Sequence, residues 1–161
     1  MTDDTGLAEI WRESVRSEWC DFNNHLNLAY YILIFDHATD VFHNSLGLNE
    51  TYRTETGCST FAVESHALYL AEVHQGDEVF VTTQLLDHDE KRLHYFHRMY
   101  HAEKGFLSAT NELMTVHIDM GIRKVAPMSA GIRDKAAALY GEHRNLPVPD
   151  QRCAAMGIRR K

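Results

Sequence analysis

The feature that most constrains the fold is an apolar stripe with helical spacing between Leu28 and Leu46. Apolar side chains recur there every three or four residues, which is typical of an amphipathic helix that buries one face. The stripe consists of Tyr31, Phe35, Ala38, Phe42 and Leu46, with Leu28, Ile32 and Val41 close to it. At roughly 1.5 Å per residue, this helix is about 28 Å long. Gly47 follows where a helix end favours a residue that accepts left-handed geometry.

Beyond the helix, the chain alternates between extended segments and turns. Five segments have the β-branched and aromatic content of strands, namely 9–16, 60–70, 79–86, 91–101 and 106–118. A short helix at 50–56, a short extension at 122–125 and a second long helix at 130–143 complete the pattern. We therefore predict an α+β fold in which an antiparallel sheet packs on one long helix. An uncovered sheet edge in such a fold predicts pairing with a second subunit.

Length and charge limit the classes of protein to which the chain can belong. Its 161 residues predict a single domain over residues 8–143, with flexible termini at 1–7 and 144–161. A net charge of −7 argues against a surface that neutralises nucleic-acid phosphates. No apolar run approaches the roughly 20 residues that span a bilayer, and the acidic start does not resemble a signal peptide. A cytoplasmic location is therefore expected.

The predicted helix is preceded by a loop dense in polar side chains. Asp21, Asn23, Asn24, His25 and Asn27 fall within seven residues, and each can compete with regular backbone for hydrogen bonds. A polar loop that ends at a helix start is a common place for a functional site. The alternative is a turn followed by a helix cap, which explains only one or two of these residues. We therefore interpret the loop as a candidate site.

Asp21 is the leading candidate for a catalytic group. Trp19 and Phe22 flank it in the sequence, and partial desolvation by their rings would sharpen the carboxylate as a base or nucleophile. The alternative roles are capping the loop or pairing with an arginine. His25 is a candidate to orient Asp21, to bind substrate or to donate a proton, and its alternative role is structural.

Two adjacent residues at the helix start are further candidates. Asn27 can cap the helix or hold a substrate carbonyl or a water, and capping is the favoured role. The backbone N–H groups around Leu28 point out of the helix start and suit an oxyanion.

The remaining polar residues within strands give weaker signals. A strand places His94 on the face opposite to His97 and His101, so no metal site is expected there. Glu64 and His66 lie in the middle of a strand, where a polar residue is either exposed to solvent or part of a pocket.

The polar loop also carries a motif that resembles that of a known enzyme family. It reads Asp21-x-Asn23-x-His25-x-Asn27-x-x-Tyr30-Tyr31. Followed by a long helix and four strands, it resembles the hotdog-fold acyl-CoA thioesterases of the 4-hydroxybenzoyl-CoA thioesterase type, over residues 8 to about 128. The resemblance implies an antiparallel β-sheet wrapped around one long central α-helix. It also implies that Asp21 is the catalytic carboxylate and that the N–H of about Leu28 is the oxyanion donor. Asn24 departs from the family, which commonly has glycine there.

Within this family, three stretches resemble the thioesterases of bacterial carnitine breakdown. They are Glu18-Trp19-Cys20-Asp21, Phe35-Asp36-His37-Ala38-Thr39-Asp40 and Leu86-Asp87-His88-Asp89-Glu90-Lys91-Arg92-Leu93-His94. Those enzymes hydrolyse betainyl-CoA to glycine betaine and coenzyme A. A trimethylammonium group favours aromatic walls and a nearby carboxylate. The substrate-binding candidates are Trp19, Phe22, Tyr30, Tyr31, Glu64, His66 and Tyr69, and a core role is the alternative for most of the aromatic ones.

The resemblance implies hydrolysis of a thioester without a metal or cofactor, because a thiolate is a good leaving group. Lys91 and Arg92 are candidates to bind the phosphates of CoA, with a solvated turn as the alternative. The expected partners are the acyl-CoA substrate and further copies of the chain, in a homodimer or a dimer of dimers. The open alternatives are a hotdog enoyl-CoA hydratase or dehydratase, a non-catalytic acyl-CoA-binding protein and a structural subunit.

Overall fold

The computed structural model describes residues 1–160. Its helices are α1 Leu28–Leu46, α2 Glu50–Thr56 and α3 Ala130–His143, and a 3-10 turn spans Ser17–Trp19. Its strands are β1 Glu9–Ser14, β2 Cys58–Tyr69, β3 Glu78–His88, β4 Arg92–His101, β5 Leu107–Asp119 and β6 Lys124–Val125. Every element predicted from the sequence is present. No helix within residues 1–160 is long and apolar enough to cross a membrane.

The strands belong to one sheet with the order β1-β3-β4-β5-β2, in which β6 pairs with β5. β1 pairs antiparallel with β3, so that Trp11 lies opposite Val81 and Ser14 lies opposite Glu78. β5 and β6 also pair antiparallel. β2 stands at one end of this order, so within residues 1–160 its outer backbone edge has no neighbouring strand.

Helix α1 begins and ends where local chemistry requires. Asn27 Oδ1 accepts a hydrogen bond from the Ala29 N–H at 3.0 Å, which satisfies one of the N–H groups that a helix start leaves without a partner. After the last helical residue, Gly47 has a φ of 96°, a left-handed conformation that favours glycine. Asn27 is therefore the helix cap, as the sequence favoured.

The buried face of α1 contains the predicted stripe, but two of the residues predicted to lie close to the stripe are exposed. The five residues of the stripe are all buried, namely Tyr31, Phe35, Ala38, Phe42 and Leu46. Ile34, outside the predicted stripe, is also fully buried. Leu28 and Ile32 are instead exposed, because the buried face extends toward Ile34 rather than toward the side on which they lie.

The chain forms two compact units. The first comprises Met1–Val41, Ala67–Thr83 and His97–Asn111, and the second comprises Phe42–His66, Gln84–Phe96 and Glu112–Lys161. The core of the first unit consists of Val15, Trp19, Leu26, Tyr31, Ile34, Phe35, Ala38, Val73, Val79, Val81, Met99 and Ala109. Burial of each large apolar side chain contributes about 1.5–3 kcal/mol. Because Trp19 and Leu26 belong to this core, both ends of the polar loop are anchored.

In the second unit, a buried contact between a histidine and a carboxylate joins two neighbouring strands. His94 Nε2 lies 2.7 Å from Glu112 Oε1, and both side chains are almost fully buried. The other oxygen of Glu112 accepts a hydrogen bond from the Cys153 N–H. The pair therefore ties the C-terminal segment to β5.

The segments predicted as flexible termini, 1–7 and 144–161, make specific contacts. In the first unit, the Thr82 hydroxyl donates to the Asp3 carboxylate at 2.7 Å. In the second unit, the Arg160 guanidinium donates two hydrogen bonds to the Asp87 carboxylate, at 2.7 and 2.5 Å. Lys161 lies outside the described residues. The domain boundaries at 8 and 143 stay a prediction.

Candidate active site

The polar loop, residues 20–27, is a closed turn held by its own backbone. Cys20 and Leu26 form an antiparallel bridge at its base. Inside the bridge, the Asp21 N–H donates to the His25 carbonyl at 2.9 Å. These bonds hold the backbone of Asp21 in a defined position next to the start of α1.

Asn24 provides the geometry that this tight turn needs. Its φ is 63°, which lies in the left-handed region that asparagine enters more readily than most residues other than glycine. Glycine, the common residue at this place in the resembled family, adopts the same conformation without strain. Asn24 therefore departs from the family in residue type but not in the backbone shape that the turn requires.

Among residues 1–160, the Asp21 carboxylate accepts hydrogen bonds through only one of its oxygens. Oδ1 accepts hydrogen bonds from the N–H groups of Asn23 at 2.9 Å and His25 at 3.1 Å. Asp21 thus caps its own loop, as the alternative interpretation held, through backbone N–H groups rather than an arginine. This capping uses Oδ1 and leaves Oδ2 to other chemistry.

The two rings that flank Asp21 in the sequence do not cover it together. Trp19 belongs to the buried core, whereas Phe22 is 97 % exposed. The expectation that Phe22 desolvates Asp21 is therefore wrong for the single chain, because a residue at the tip of a tight turn has no core to pack against.

The His25 ring contacts two residues that the sequence analysis did not single out. His25 Nδ1 lies 3.4 Å from Glu72 Oε1, and its ring meets the His74 ring edge-on at 4.8 Å between centroids. A backbone bridge between His25 and His74 sets this proximity. His25 contacts Asp21 through its backbone N–H. The only sequence signal that could have pointed to Glu72 and His74 was their position on either side of an apolar residue, Val73.

The side chains of His25, Glu72 and His74 have the types and spacing that could hold a metal ion. The donor atoms of His25, Glu72 and His74 all lie within 4.8 Å of one another, and two imidazoles with a carboxylate are ligands that zinc accepts. All three side chains are at least one-third exposed, so they can rotate toward a common ion. We assign no catalytic step to such an ion.

At the start of α1, the Leu28 N–H is a hydrogen-bond donor that does not bond to the capping side chain of Asn27. The Ala29 N–H is bonded to Asn27 Oδ1. Leu28 is the first residue of α1, and its N–H is one of those that a helix leaves without an intrahelical acceptor. Such an N–H, with the positive end of the helix dipole behind it, suits a developing oxyanion.

The Cys20 thiol, next to Asp21 in the sequence, is a poor nucleophile. Burial, together with the nearby carboxylates of Asp21 and Glu18, raises the pKa of this thiol. Because the thiolate is the reactive form of cysteine, the loop favours a carboxylate over a thiol as its reactive group.

The aromatic candidates fall into three separate groups. Trp19 stacks with Tyr30 at 5.6 Å between centroids, and the Arg16 guanidinium lies 4.4 Å from the Trp19 ring. Tyr31 is buried and meets Tyr69 edge-on at 5.2 Å. Phe22 extends into solvent. Arg16 and Tyr30 cover most of Trp19, so little of its ring is open to a ligand.

The other candidates lie in the second unit, each with its own surroundings. Glu64 is an exposed residue of β2, and His66 is half-buried in the same strand. Lys91 Nζ lies 3.5 Å from Glu90. Arg92 donates through two nitrogens to the Asp89 carboxylate, at 2.8 and 2.6 Å. Both basic side chains therefore have acidic partners within their own turn.

The three histidines of β4 bond to different groups. His94 pairs with Glu112, and His97 lies between the hydroxyls of Thr39 and Thr83, at 2.9 and 2.7 Å. His101 Nδ1 accepts from the N–H groups of residues 103 and 104. Each of these histidines therefore has its own set of hydrogen-bond partners, and the absence of a metal site there stays a prediction.

Comparisons with known proteins identify the family. The model of the thioesterase-like superfamily matches residues 15–136. The chain is 40 % identical over 144 residues to betainyl-CoA thioesterase of Pseudomonas aeruginosa, covering 89 % of this chain and 91 % of that protein. It is 32 % identical to the L-carnitine dehydrogenase/betainyl-CoA thioesterase of Rhizobium meliloti, covering 92 % of this chain and 30 % of that longer protein.

Solved structures agree with the sequence matches. A Staphylococcus aureus protein determined in complex with CoA superposes with a TM-score of 0.86 at 30 % identity, covering 95 % of this chain and 97 % of that one. The α+β hotdog fold expected from the sequence is confirmed. The chain belongs to the thioesterase-like superfamily and is an acyl-CoA thioesterase.

Proposed function

We propose that this acyl-CoA thioesterase hydrolyses betainyl-CoA to glycine betaine and coenzyme A in carnitine catabolism. The substrate is supported by the Pseudomonas aeruginosa relative, which is named for it and matches over nearly its whole length. The pathway is supported by the Rhizobium meliloti relative, whose name joins the same activity to an L-carnitine dehydrogenase.

One observation carries the catalytic part of the proposal. The Asp21 carboxylate and the first N–H groups of α1 belong to one short loop, closed by the bridge between Cys20 and Leu26. When one loop holds a carboxylate and an oxyanion donor, the carboxylate can act at the carbon of a carbonyl group while the N–H stabilises its oxygen.

In the proposed reaction, the carbonyl oxygen of the thioester accepts the Leu28 N–H. Asp21 Oδ2 either attacks the carbonyl carbon, forming an anhydride that water then hydrolyses, or removes a proton from an attacking water. The carbon–sulfur bond breaks in both routes, and CoA leaves as a thiolate that then takes up a proton. His25 and the Asn27 amide group position the carbonyl or the water. None of these steps requires a metal or a cofactor.

We also propose roles for the remaining candidates. Lys91 and Arg92 contact the phosphates of CoA by exchanging their present acidic partners, Glu90 and Asp89. The proposed substrate walls comprise the accessible aromatic residues of the first unit, namely Phe22, Tyr30 and Tyr69. Wall roles for Trp19, Tyr31, Glu64 and His66 stay predictions.

The active enzyme is proposed to be a homodimer or a dimer of dimers. The edge strand β2 leaves the apolar side chains of Phe61 and Val63 exposed, although such side chains are normally covered in a folded protein. A second copy that pairs along this edge would cover them.

The direct test is thiol release from four acyl-CoAs, with betainyl-CoA beside acetyl-, butyryl- and benzoyl-CoA, on enzyme dialysed against EDTA. We expect a kcat/KM for betainyl-CoA at least about tenfold above the others, with no loss after dialysis. Faster release from a neutral acyl group would contradict the substrate, and loss of activity that zinc restores would contradict the metal-free mechanism.

A further inference from the structure

Two carboxylates lie on either side of His25. The His25 N–H donates to Asp21 at 3.1 Å, and the His25 ring nitrogen Nδ1 lies 3.4 Å from Glu72. Among residues 1–160, neither carboxylate forms an ion pair with a lysine or an arginine. The surroundings of His25 therefore carry negative charge that no permanent cation of the described chain neutralises.

We propose that Glu72 is the counter-charge for a quaternary ammonium group on the acyl chain and so determines specificity for a cationic acyl-CoA. This inference rests on the proposed function. It assigns to Glu72 the electrostatic role that the sequence analysis gave to Glu64.

The size of the betainyl group places its charge close to the reacting carbon. One methylene separates the nitrogen from the carbonyl carbon, so the two atoms are about 2.5 Å apart, as in a peptide N–Cα–C unit. A carboxylate that attracts this nitrogen must therefore border the catalytic loop itself. Glu72 meets this requirement through its contact with His25, which is part of the loop.

The chemistry of the group also favours a carboxylate at this place. A trimethylammonium has no N–H to donate, so it is recognised through its charge and through aromatic faces. Of the two rings that flank Asp21, Trp19 is only 5 % exposed and contacts Arg16 and Tyr30, whereas Phe22 is 97 % exposed and can present a ring face. Glu72, whose side chain is 68 % exposed, adds the full negative charge that a ring face lacks.

Asp21 does not make Glu72 redundant. A carboxylate that must act as nucleophile or base is needed at the carbonyl carbon in every substrate, whatever its acyl group. Glu72 contacts the His25 ring rather than its backbone N–H, and its charge discriminates between substrates with and without a cation.

The test compares betainyl-CoA with its uncharged isostere, 3,3-dimethylbutyryl-CoA, in which carbon replaces the quaternary nitrogen. The measured quantity is the ratio of kcat/KM for the two substrates. We expect Glu72→Gln to lower the wild-type preference for betainyl-CoA by about fivefold or more, mainly through a higher KM, as for loss of a partly exposed ion pair. Glu72→Asp, which keeps the charge, should retain most of the preference.

Glu18→Gln is the matched control. It removes one exposed negative charge from the 3-10 turn that precedes the loop, and should leave the ratio within about twofold of wild type if the contact between Glu72 and His25, rather than negative charge in general, sets the preference. An unchanged ratio in Glu72→Gln, or an equal loss for both substrates, would overturn the role of Glu72, since equal loss indicates positioning of His25. A wild-type enzyme without preference for betainyl-CoA would instead overturn the proposed substrate itself.

Discussion

At the scale of single residues, the two oxygens of Asp21 have separable roles. Oδ1 accepts two backbone N–H groups and so shapes the loop, whereas Oδ2 is available to the thioester or to water. An aspartate can therefore be a loop cap and a catalytic group at the same time. The sequence suggested both roles as alternatives, because residue type alone cannot show that the two oxygens have different partners.

His43 makes a residue-scale contribution to the pH dependence of stability. Its side chain is buried in the second unit, and burial lowers its pKa to about 4. The pKa in an unfolded chain is about 6.5, so between pH 6.5 and 4 the unfolded state binds a proton that the folded state does not. The free energy of unfolding is therefore fully retained above about pH 6.5 and falls below it, by at most about 1.4 kcal/mol per pH unit.

We expect His43→Gln to flatten this dependence, measured as urea unfolding at pH 6.5, 5.5 and 4.5. The slope should fall but not vanish, because burial also lowers the pKa of His143. Asn44→Gln, at an exposed and non-titrating neighbour of His43 in α1, is the control and should keep the wild-type slope. The same slope in His43→Gln and wild type would show that His43 does not titrate as described.

At the scale of elements, the sequence predicted most of the fold, because local rules decide it. Helix α1 has a cap at Asn27, an apolar period and a terminal glycine at position 47, and each signal is local. The strands are bounded by polar or glycine-containing turns and end within two residues of their predicted limits. Leu28 and Ile32 were misplaced because a periodic pattern does not show how wide the buried face is.

The site was less predictable because its contacts are non-local. Glu72 and His74 reach His25 through pairing of distant segments, which no spacing in the sequence reveals. The sequence left open whether the aromatic candidates line a substrate pocket or belong to the core, and Trp19 and Tyr31 are buried with different ring partners. Residue types thus identified the loop but not the neighbours that complete it.

The edge strand β2 gives an element-scale prediction about assembly. Val63 is 59 % exposed on this strand, and a lysine there would place a charge in an interface formed by edge pairing. We expect wild type to have at least twice the 18.5 kDa mass of one chain by light scattering, and Val63→Lys to shift toward the monomer.

Val148→Lys offers a matched control for this variant. It makes the same change at another exposed valine, outside β2, and should keep the wild-type mass. A monomeric wild type, or a Val63→Lys variant as large as wild type, would contradict pairing along β2.

At the scale of the whole molecule, the net charge bears on the proposed substrate, which has a cationic acyl group at one end and the anionic phosphates of CoA at the other. The chain has a net charge of −7, which opposes the phosphates of CoA and favours a cationic acyl group. Lys91 and Arg92 are paired with acidic neighbours, so under the proposed roles the phosphates of CoA would compete with Glu90 and Asp89 for them. The proposed enzyme therefore selects its substrate by charge at the acyl end and tolerates a modest affinity at the CoA end.

The central claim, catalysis by the Asp21 carboxylate, is tested most directly by the rate of thiol release from betainyl-CoA in Asp21→Asn. The asparagine carbonyl can still accept the N–H groups of Asn23 and His25, so the loop and the melting temperature should be preserved. We expect kcat to fall by about two to four orders of magnitude, with Asp36→Asn, at an exposed aspartate of α1, close to wild type. A near-normal kcat in a folded Asp21→Asn would contradict the account.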